Sequence, residues 1–342
     1  MSKKRIVVVC PGRGTYTKET LGYLQKYGKH VREFISDIDQ RRQKLGELSI
    51  SEMDNMSAFQ PNIHTKGENA SSLIYACAYA DFMAIDREKY EIVAITGNSM
   101  GWYLACAFGG ALDWANGFSV INTMGSMMKN ETIGGQVIYP LVDEKWNFSQ
   151  EKSDAVRAAV DRVNQREGCE VYDSIYLGGY IVLGANKTGT QALLKELPPV
   201  ENYPFQLINH AAFHTPLLKS TSEKAMQILS EDLFQKPQVP LIDGRGHIWQ
   251  PYSTDVQKLY QYTLGEQVFA AYDFTKAITV ALKEFAPDHL FLLGPGGSLG
   301  GSIGQIMIKN DWRALKNKDD FSRAQELDLV DGQPFLVSMG RR

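Results

Sequence analysis

The sequence predicts an α/β protein with a mostly parallel sheet and a smaller inserted α+β unit. The first 134 residues alternate short β-branched runs with helix-like stretches, the pattern of a parallel sheet joined by crossover helices. The pattern changes at about Gly135, and strand–helix alternation returns after His214. A chain of 342 residues is long enough for a large domain that carries such an insertion.

The first part of the chain supplies the start of the parallel sheet. Residues 5–10 are predicted as a buried first strand; the basic N-terminus before them resembles a signal peptide, but Pro11 ends the apolar run too early. A second buried strand is expected at residues 92–96. Helices are expected over residues 71–85, 99–108 and 113–128.

The insertion has its own order of elements. Strands are predicted at residues 136–141, 171–176, 180–184 and 205–209, with helices over 152–167 and 187–197. This βαββαβ order is ferredoxin-like. The predicted domains are therefore a core of residues 1–134 and 207–342 and a small subdomain of residues 135–206. A late core strand is expected at residues 290–293, and the polar residues 310–342 are expected to wrap the surface.

Composition excludes several classes of function. A net charge of −3 provides no basic surface for nucleic acid, and the longest apolar runs are too short to span a bilayer. The four cysteines are scattered without a CxxC pair, so neither a zinc site nor a disulfide framework is expected. Cys106 is interpreted as a small core residue. Such cysteine usage is typical of a reducing cytoplasm.

The segment GNSMG, residues 97–101, lies between a predicted strand and a predicted helix. A serine in that position forms the nucleophile elbow of α/β-hydrolase-like folds, with its hydroxyl above the sheet edge. Ser99 is therefore a candidate nucleophile. The backbone N–H of Met100 and an N–H from the loop PGRG, residues 11–14, are expected to stabilise an oxyanion. The alternative is a glycine-rich turn whose serine only caps the helix.

A nucleophilic serine needs a base, and histidine is the usual one. Of the six histidines, His30 and His64 are expected in solvent. His210 and His214 follow the last inserted strand, where the chain re-enters the core beside small residues and before Pro216. His214 is the candidate base, and a purely structural histidine is the alternative.

These segments together resemble the malonyl-CoA:acyl-carrier-protein transacylase family and the acyltransferase domains of polyketide and fatty acid synthases. The resemblance covers residues 5–308. PGRG is similar to the family's PGQG loop, GNSMG to its GHSxG motif and GGALD (109–113) to the Ala-Gly-x-x-Asp ending that follows it. AFHTP (212–216) is similar to the segment with the catalytic histidine, EQ (266–267) to the pair that orients it, and GPG (294–296) to the closing motif.

The resemblance implies an S-acyltransferase with a ping-pong mechanism, active in fatty acid or polyketide biosynthesis. Ser99 would carry the acyl group, His214 would act as base, and the N–H groups of Met100 and Arg13 would bind the oxyanion. The carbonyl of Gln267 would orient the histidine. The substrates would be acyl-CoA and acyl-carrier-protein phosphopantetheine thioesters, with no metal and no tightly bound cofactor. A cytoplasmic monomer is expected.

Departures from the family pattern bear on the acyl group. Malonyl-specific members bind the free carboxylate with an arginine about 25 residues after the nucleophile; this chain has Met124 there. Because a buried carboxylate without a cation is costly, an uncharged acyl group is predicted. The same resemblance places Phe213, Asn98 and Trp102 at the acyl pocket, and Asn69 where the family often has a pocket glutamine.

Arg13 replaces the glutamine of the first loop. Its side chain either takes over carboxylate binding from the lost arginine or faces outward or toward a phosphate. The predicted function is transfer of an uncharged acyl group between CoA or carrier-protein thiols. The alternatives are an acyl-carrier-protein hydrolase of the same fold, a malonyl transacylase that uses Arg13, and a non-enzymatic docking partner, against which the intact Ser99 and His214 argue.

Overall fold

The computed structural model describes residues 2–130 and 132–341. Its strands are β1 Lys4–Cys10, β2 Tyr90–Gly97, β3 Gly135–Pro140, β4 Val171–Leu177, β5 Tyr180–Ala185, β6 Phe205–Gln206, β7 Leu241–Ile242, β8 Ile248–Trp249, β9 Tyr272–Asp273, β10 His289–Leu292 and β11 Leu336–Ser338.

The helices of the described residues surround these strands. They are α1 Tyr23–Tyr27, α2 Arg32–Lys44, α3 Ile50–Asp54, α4 Pro61–His64, α5 Gly67–Met83, α6 Gly101–Phe108, α7 Trp114–Ser126, α8 Gln150–Asn164, α9 Lys187–Glu196, α10 Lys219–Ile228, α11 Val256–Gln261, α12 Gln267–Phe269, α13 Phe274–Phe285, α14 Gly300–Lys309 and α15 Lys318–Leu327. None of them is long and apolar enough to cross a membrane within the described ranges.

The main sheet has the strand order β11-β10-β1-β2-β7-β8. All its pairs are parallel except β7 with β8. The central strand β1 has no exposed side chain from Ile6 to Cys10, because helices cover both faces of the sheet. Parallel strands carry their carboxyl ends at one edge, and that edge holds the turn after β2.

The second sheet has the order β6-β3-β5-β4-β9. Strands β3 to β6 are antiparallel neighbours with α8 and α9 packed on one face, the ferredoxin-like arrangement that the sequence predicts. The fifth strand is β9, which pairs in parallel with β4. It comes from residues 272–273, outside the predicted boundaries 135–206, so a core segment completes the small sheet.

The C-terminal region differs from the expected surface wrapping. Its strand β11 pairs in parallel with β10, with Leu290 opposite Leu336, and so forms the edge of the main sheet. Phe335 and Leu336 are buried. The polar composition of residues 310–342 hid this strand because only three residues are in it.

His64 differs from its expected exposure, whereas Cys106 agrees with it. His64 is fully buried and its Nε2 lies 3.0 Å from the Met53 carbonyl oxygen, whereas solvent was expected around it. Its ring stacks on Phe59 and Tyr16, a tertiary contact that the local sequence does not indicate. Cys106 is buried and free, as predicted for a core residue.

A buried cation ties together the helices behind the nucleophile turn. Arg42 on α2 has no exposed surface and donates to the carbonyl oxygens of Leu48 at 2.6 Å and Glu68 at 2.7 Å. It also donates to the side chains of Asn69 on α5 and Asn122 on α7. Because a guanidinium holds five donors in one plane, one residue fixes three helices.

We expect Arg42→Met to lower the free energy of unfolding by about 3–5 kcal/mol, because it leaves buried acceptors unpaired and removes the cation that lies 3.1 Å from the Glu47 carboxylate. Chemical denaturation measures this change. The matched control is Arg41→Met on the same helix, which removes a half-exposed ion pair with Asp37 and should cost less than about 1 kcal/mol. Equal losses for the two variants would contradict the role of the buried network.

Candidate active site

Ser99 lies in the turn between β2 and α6 with a left-handed backbone, φ 55°. Such a conformation is strained for a serine and is retained where the surroundings impose it. Gly101 allows the turn to rest on the end of β1: a β-carbon there would lie 2.5 Å from the Cys10 carbonyl oxygen and 2.9 Å from that of Pro11. The hydroxyl therefore stands at the carboxyl edge of the sheet.

His214 contacts this hydroxyl directly. Its Nε2 lies 2.7 Å from Ser99 Oγ, and its Nδ1 lies 2.6 Å from the Gln267 carbonyl oxygen. A carbonyl oxygen only accepts, so Nδ1 carries the proton and Nε2 has the lone pair. The serine hydroxyl is then the donor in the first contact. The arrangement is a serine–histidine pair oriented by a backbone carbonyl.

Gln267 contacts both members of the pair, the histidine through its carbonyl oxygen and the serine turn through its side chain. Its side-chain Nε2 donates to the Ser99 carbonyl oxygen at 3.0 Å, and its Oε1 accepts from Tyr103 at 2.7 Å. The residue begins α12 directly after a π-helical turn, Tyr262–Glu266, whose Gly265 has non-helical dihedral angles. Because α12 ends at Phe269 and Ala270 is extended, the Gln267 carbonyl lies in the last turn of the helix, where it is available to the histidine.

Burial sets the protonation of the pair. His214 is 1% exposed, and desolvation lowers its pKa to about 4, with the hydrogen bond to the Gln267 carbonyl acting in the opposite direction. The imidazole is therefore neutral near pH 7 and accepts the serine proton.

The two expected oxyanion donors are the N–H groups of Met100 and Arg13. Within the described residues, neither N–H donates a hydrogen bond to a protein acceptor. Met100 is the N-cap of α6, so its N–H lies at the positive end of a helix. Arg13 follows β1 at the same edge of the sheet.

An inner pocket of about 30 Å³ adjoins Ser99. Met124 and Phe213, two of the residues predicted for the acyl pocket, line this cavity, and Met124 is 4% exposed. The full lining is Arg13, Ser71, Ser99, Met100, Tyr103, Ile121, Met124, Gly125, Phe213, His214 and Gln267. Most of this surface is apolar, and the pocket is narrow.

The Arg13 side chain reaches this pocket and does not face outward. Its Nη2 donates to the carbonyl oxygens of Asn209 at 2.6 Å and Thr65 at 3.4 Å, while its buried Nε has no partner. No described carboxylate lies within ion-pair distance. Desolvation lowers the pKa of Arg13 to about 10, opposed by the charge of Glu68. The guanidinium remains charged at neutral pH.

Three predicted pocket residues lie elsewhere. Trp102 is fully buried on another face of α6, where its Nε1 donates to Thr263 Oγ1 at 3.0 Å. Two residues from Met100 on a helix is about 200° of rotation, so Trp102 points away, and Tyr103 lines the pocket instead. Asn69 is bound to Arg42 and to the Ile63 carbonyl.

The third of these residues is Asn98, which lines an outer cleft of about 370 Å³. This cleft runs from Ser99 between the two sheets. Its lining includes His210, which is not among the predicted site residues. The signal was present, because His210 shares its segment with His214. No group of three or more His, Cys, Asp or Glu that could hold a metal ion occurs among the described residues.

The fold is that of carrier-protein malonyltransferases. The acyl-carrier-protein S-malonyltransferase of Burkholderia pseudomallei aligns with a TM-score of 0.71 and 19% identity over 88% of this chain and 93% of its own. The malonyl-CoA:acyl-carrier-protein transacylase of Synechocystis aligns with a TM-score of 0.71 and 16% identity over 94% of this chain and 99% of its own.

A further similar structure is a malonyl-transacylase in complex with a type II polyketide synthase acyl-carrier protein, with a TM-score of 0.70 and 16% identity over 88% of this chain and 93% of that chain. No protein-family model and no curated protein matches the sequence. These comparisons confirm the predicted fold and the resemblance at the level of the fold.

We expect the rate at which a fluorophosphonate labels Ser99 to be constant from pH 8 to about pH 5 and to fall below it. The pKa of His214 is lowered to about 4, so the base is lost only when the pH falls through that value. Intact-mass kinetics after rapid quenching measure the profile, with Ser99→Ala as the blank. A midpoint near the ordinary histidine value of about 6.5 would contradict the buried, neutral imidazole.

Proposed function

We propose that this protein is an S-acyltransferase that moves an acyl group between phosphopantetheine thiols of CoA and an acyl-carrier protein. The observation that carries the proposal is the hydrogen-bonded series Ser99 Oγ, His214 Nε2, His214 Nδ1 and the Gln267 carbonyl oxygen. It lies at the mouth of a pocket and beside an open cleft, in a fold shared with carrier-protein malonyltransferases.

Ser99 and His214 carry out both half-reactions, one as nucleophile and the other as base and acid. His214 Nε2 takes the proton of Ser99 as Oγ attacks the thioester carbonyl, and the oxyanion is bound by the N–H groups of Met100 and Arg13. The C–S bond breaks, and the thiolate takes the proton from His214. A second thiol then transfers its proton to the same Nε2 and attacks the acyl-serine ester; the ester C–O bond breaks, and Ser99 Oγ takes that proton back from His214. Neither a metal nor a redox group takes part in this sequence.

The partners follow from the leaving and accepting groups. Both half-reactions need a thiol at the end of a long, flexible arm that reaches the recessed Ser99. The outer cleft extends to Ser99 and gives such an arm a path. Phosphopantetheine is such an arm on both CoA and carrier proteins. A carrier-protein partner is also supported by the similar malonyl-transacylase whose structure contains one.

The inner pocket favours a short, uncharged acyl group. Met124, Ile121 and Phe213 present apolar surface, and no cation replaces the arginine of malonyl-specific family members at position 124. One water occupies about 10–15 Å³ on the same measure, so a volume of about 30 Å³ suits an acetyl or propionyl group. A longer chain would require side chains to move.

One observation favours a second candidate, a malonyl-type acyl group bound by Arg13. The Nε of Arg13 and the Oγ of Ser71 are both buried at the inner pocket without a partner, and each can donate to a carboxylate. Against this, Nη2 already donates to two backbone carbonyls. A paired, two-bond contact with a carboxylate would compete with those bonds.

The acyl-enzyme is the first test. Incubation with acetyl-, propionyl-, malonyl- and octanoyl-CoA should give a mass adduct on Ser99, none on Ser99→Ala, and formation slowed about 10³-fold or more in His214→Ala. Added holo-carrier protein should collect the acyl group. Release as free acid at the same rate without an acceptor would identify the hydrolase alternative, and the absence of any adduct would refute the proposal.

The acyl preference is the second test. We expect the wild type to load acetyl at least about tenfold faster than malonyl, and Met124→Arg to reverse the order, because the new cation pairs with the carboxylate. Met128→Arg, at a partly exposed methionine outside the pocket lining, is the matched control. Fast malonyl loading that Arg13→Met abolishes while acetyl loading persists would establish the second candidate instead.

A further inference from the structure

His210 is a second imidazole in the substrate cleft, and the mechanism above does not use it. Its side chain lines the outer cleft together with Ser99 and Asn98. The side chain is partly exposed. Its Nε2 lies close to Gly14 of the PGRG loop: a β-carbon at that glycine would be 4.0 Å from this nitrogen. The nitrogen therefore faces the PGRG loop across the cleft.

The protonation of this imidazole follows from its neighbours. Gln136 Nε2 donates to Ser174 Oγ at 2.7 Å and to the Phe213 carbonyl oxygen at 3.4 Å. A carbonyl oxygen only accepts, so the amide nitrogen must face it and Gln136 Oε1 must face His210. That oxygen lies 3.0 Å from His210 Nδ1, which consequently carries the proton.

The other nitrogen is then a lone-pair acceptor in the cleft. His210 Nε2 makes no hydrogen bond to any described residue. The segment itself is held in place, because Asn209 accepts from Arg13 at 2.6 Å and donates to Thr65 Oγ1 at 2.7 Å. Burial and the positive charge of Arg13 lower the pKa of His210, so the ring is neutral at pH 7.

The chemistry of the substrate limits what this acceptor can bind. An uncharged acyl group and a thioester contain no N–H or O–H. The first donor along a phosphopantetheine arm is the amide N–H two carbons from sulfur. Asn98 lines the same cleft, and its buried Oδ1 is a second hydrogen-bond acceptor without a partner among the described residues.

We propose that His210 Nε2 accepts a hydrogen bond from the sulfur-proximal amide N–H of the phosphopantetheine arm, and so makes the enzyme selective for amide-bearing thioesters. The inference rests on the proposed function. In this role His210 is a positioning residue: it touches the arm and not the reacting carbonyl. It aligns the thioester with Ser99 in the first half-reaction and the incoming thiol in the second.

A matched pair of acyl donors tests this hydrogen bond. Acetyl-N-acetylcysteamine carries the amide, and its ester isostere, with oxygen in place of N–H, keeps the shape and the carbonyl but lacks the donor. We expect the wild type to acylate Ser99 about five- to tenfold faster with the amide, as measured by intact-mass kinetics. In His210→Phe the amide-to-ester ratio should fall to within about twofold of unity.

Two further variants make the result specific. His210→Asn, which retains a side-chain acceptor, should have an amide-to-ester rate ratio between those of the wild type and His210→Phe. Ile208→Ala, at an exposed position of the same segment, should keep the wild-type ratio. Should His210→Phe not fold, His210→Ala takes its place with the same expected loss. An unchanged ratio in the variant, or no ratio in the wild type, overturns the inference.

The same experiment separates the two proposals. If neither thioester gives an adduct on wild-type Ser99, the proposed acyl transfer fails and the inference fails with it. If both give adducts at equal rates, acyl transfer stands and only the role of His210 is refuted.

Discussion

The close approach of two backbones at one edge of the main sheet determines the rest of the site. The turn after β2 rests on the carbonyl groups at the end of β1, and only a residue without a β-carbon fits at Gly101. This contact holds Ser99 in its left-handed conformation and aims its hydroxyl out of the sheet. The histidine, the Gln267 carbonyl and the pocket are all arranged around that one oxygen atom.

Much of the fold is readable from the sequence because long apolar runs and regular helices carry a strong periodic signal. Strands β1 and β2 and the six elements of the insertion lie where the pattern predicts them, with no end shifted by more than three residues. The short strands escape detection. Both β9, with two residues, and β11, with three, are made by tertiary pairing with β4 and β10, and their local sequence has no period to detect.

At the site, motif positions were informative and side-chain directions were not. The local sequence indicates the serine and the histidine, because those roles depend on backbone turns that need particular residues, and the family resemblance adds the orienting carbonyl of Gln267. Pocket lining depends on rotation about a helix axis. The family resemblance places Trp102 and Asn69 there, whereas Tyr103 and Ser71, one and two residues further along, have the side chains that reach the cavity. The shared segment with His214 indicates that His210 lies near the site, whereas the direction of its ring nitrogens follows only from the Gln136 contact across two elements.

Strand β9 connects the small sheet to the turn that carries Ser99. Its two residues pair with β4 of the small sheet, and Tyr272 within it donates from its hydroxyl to the Gly97 carbonyl oxygen at 2.6 Å and packs its ring 5.3 Å from that of His214. The small sheet is thus anchored to the turn that carries the nucleophile. Any rotation that widened the cleft would pull on Tyr272, and through it on Ser99 and His214. We therefore expect the cleft to keep a constant width and a thioester arm to enter it lengthwise, since widening the cleft would misalign Ser99 and His214.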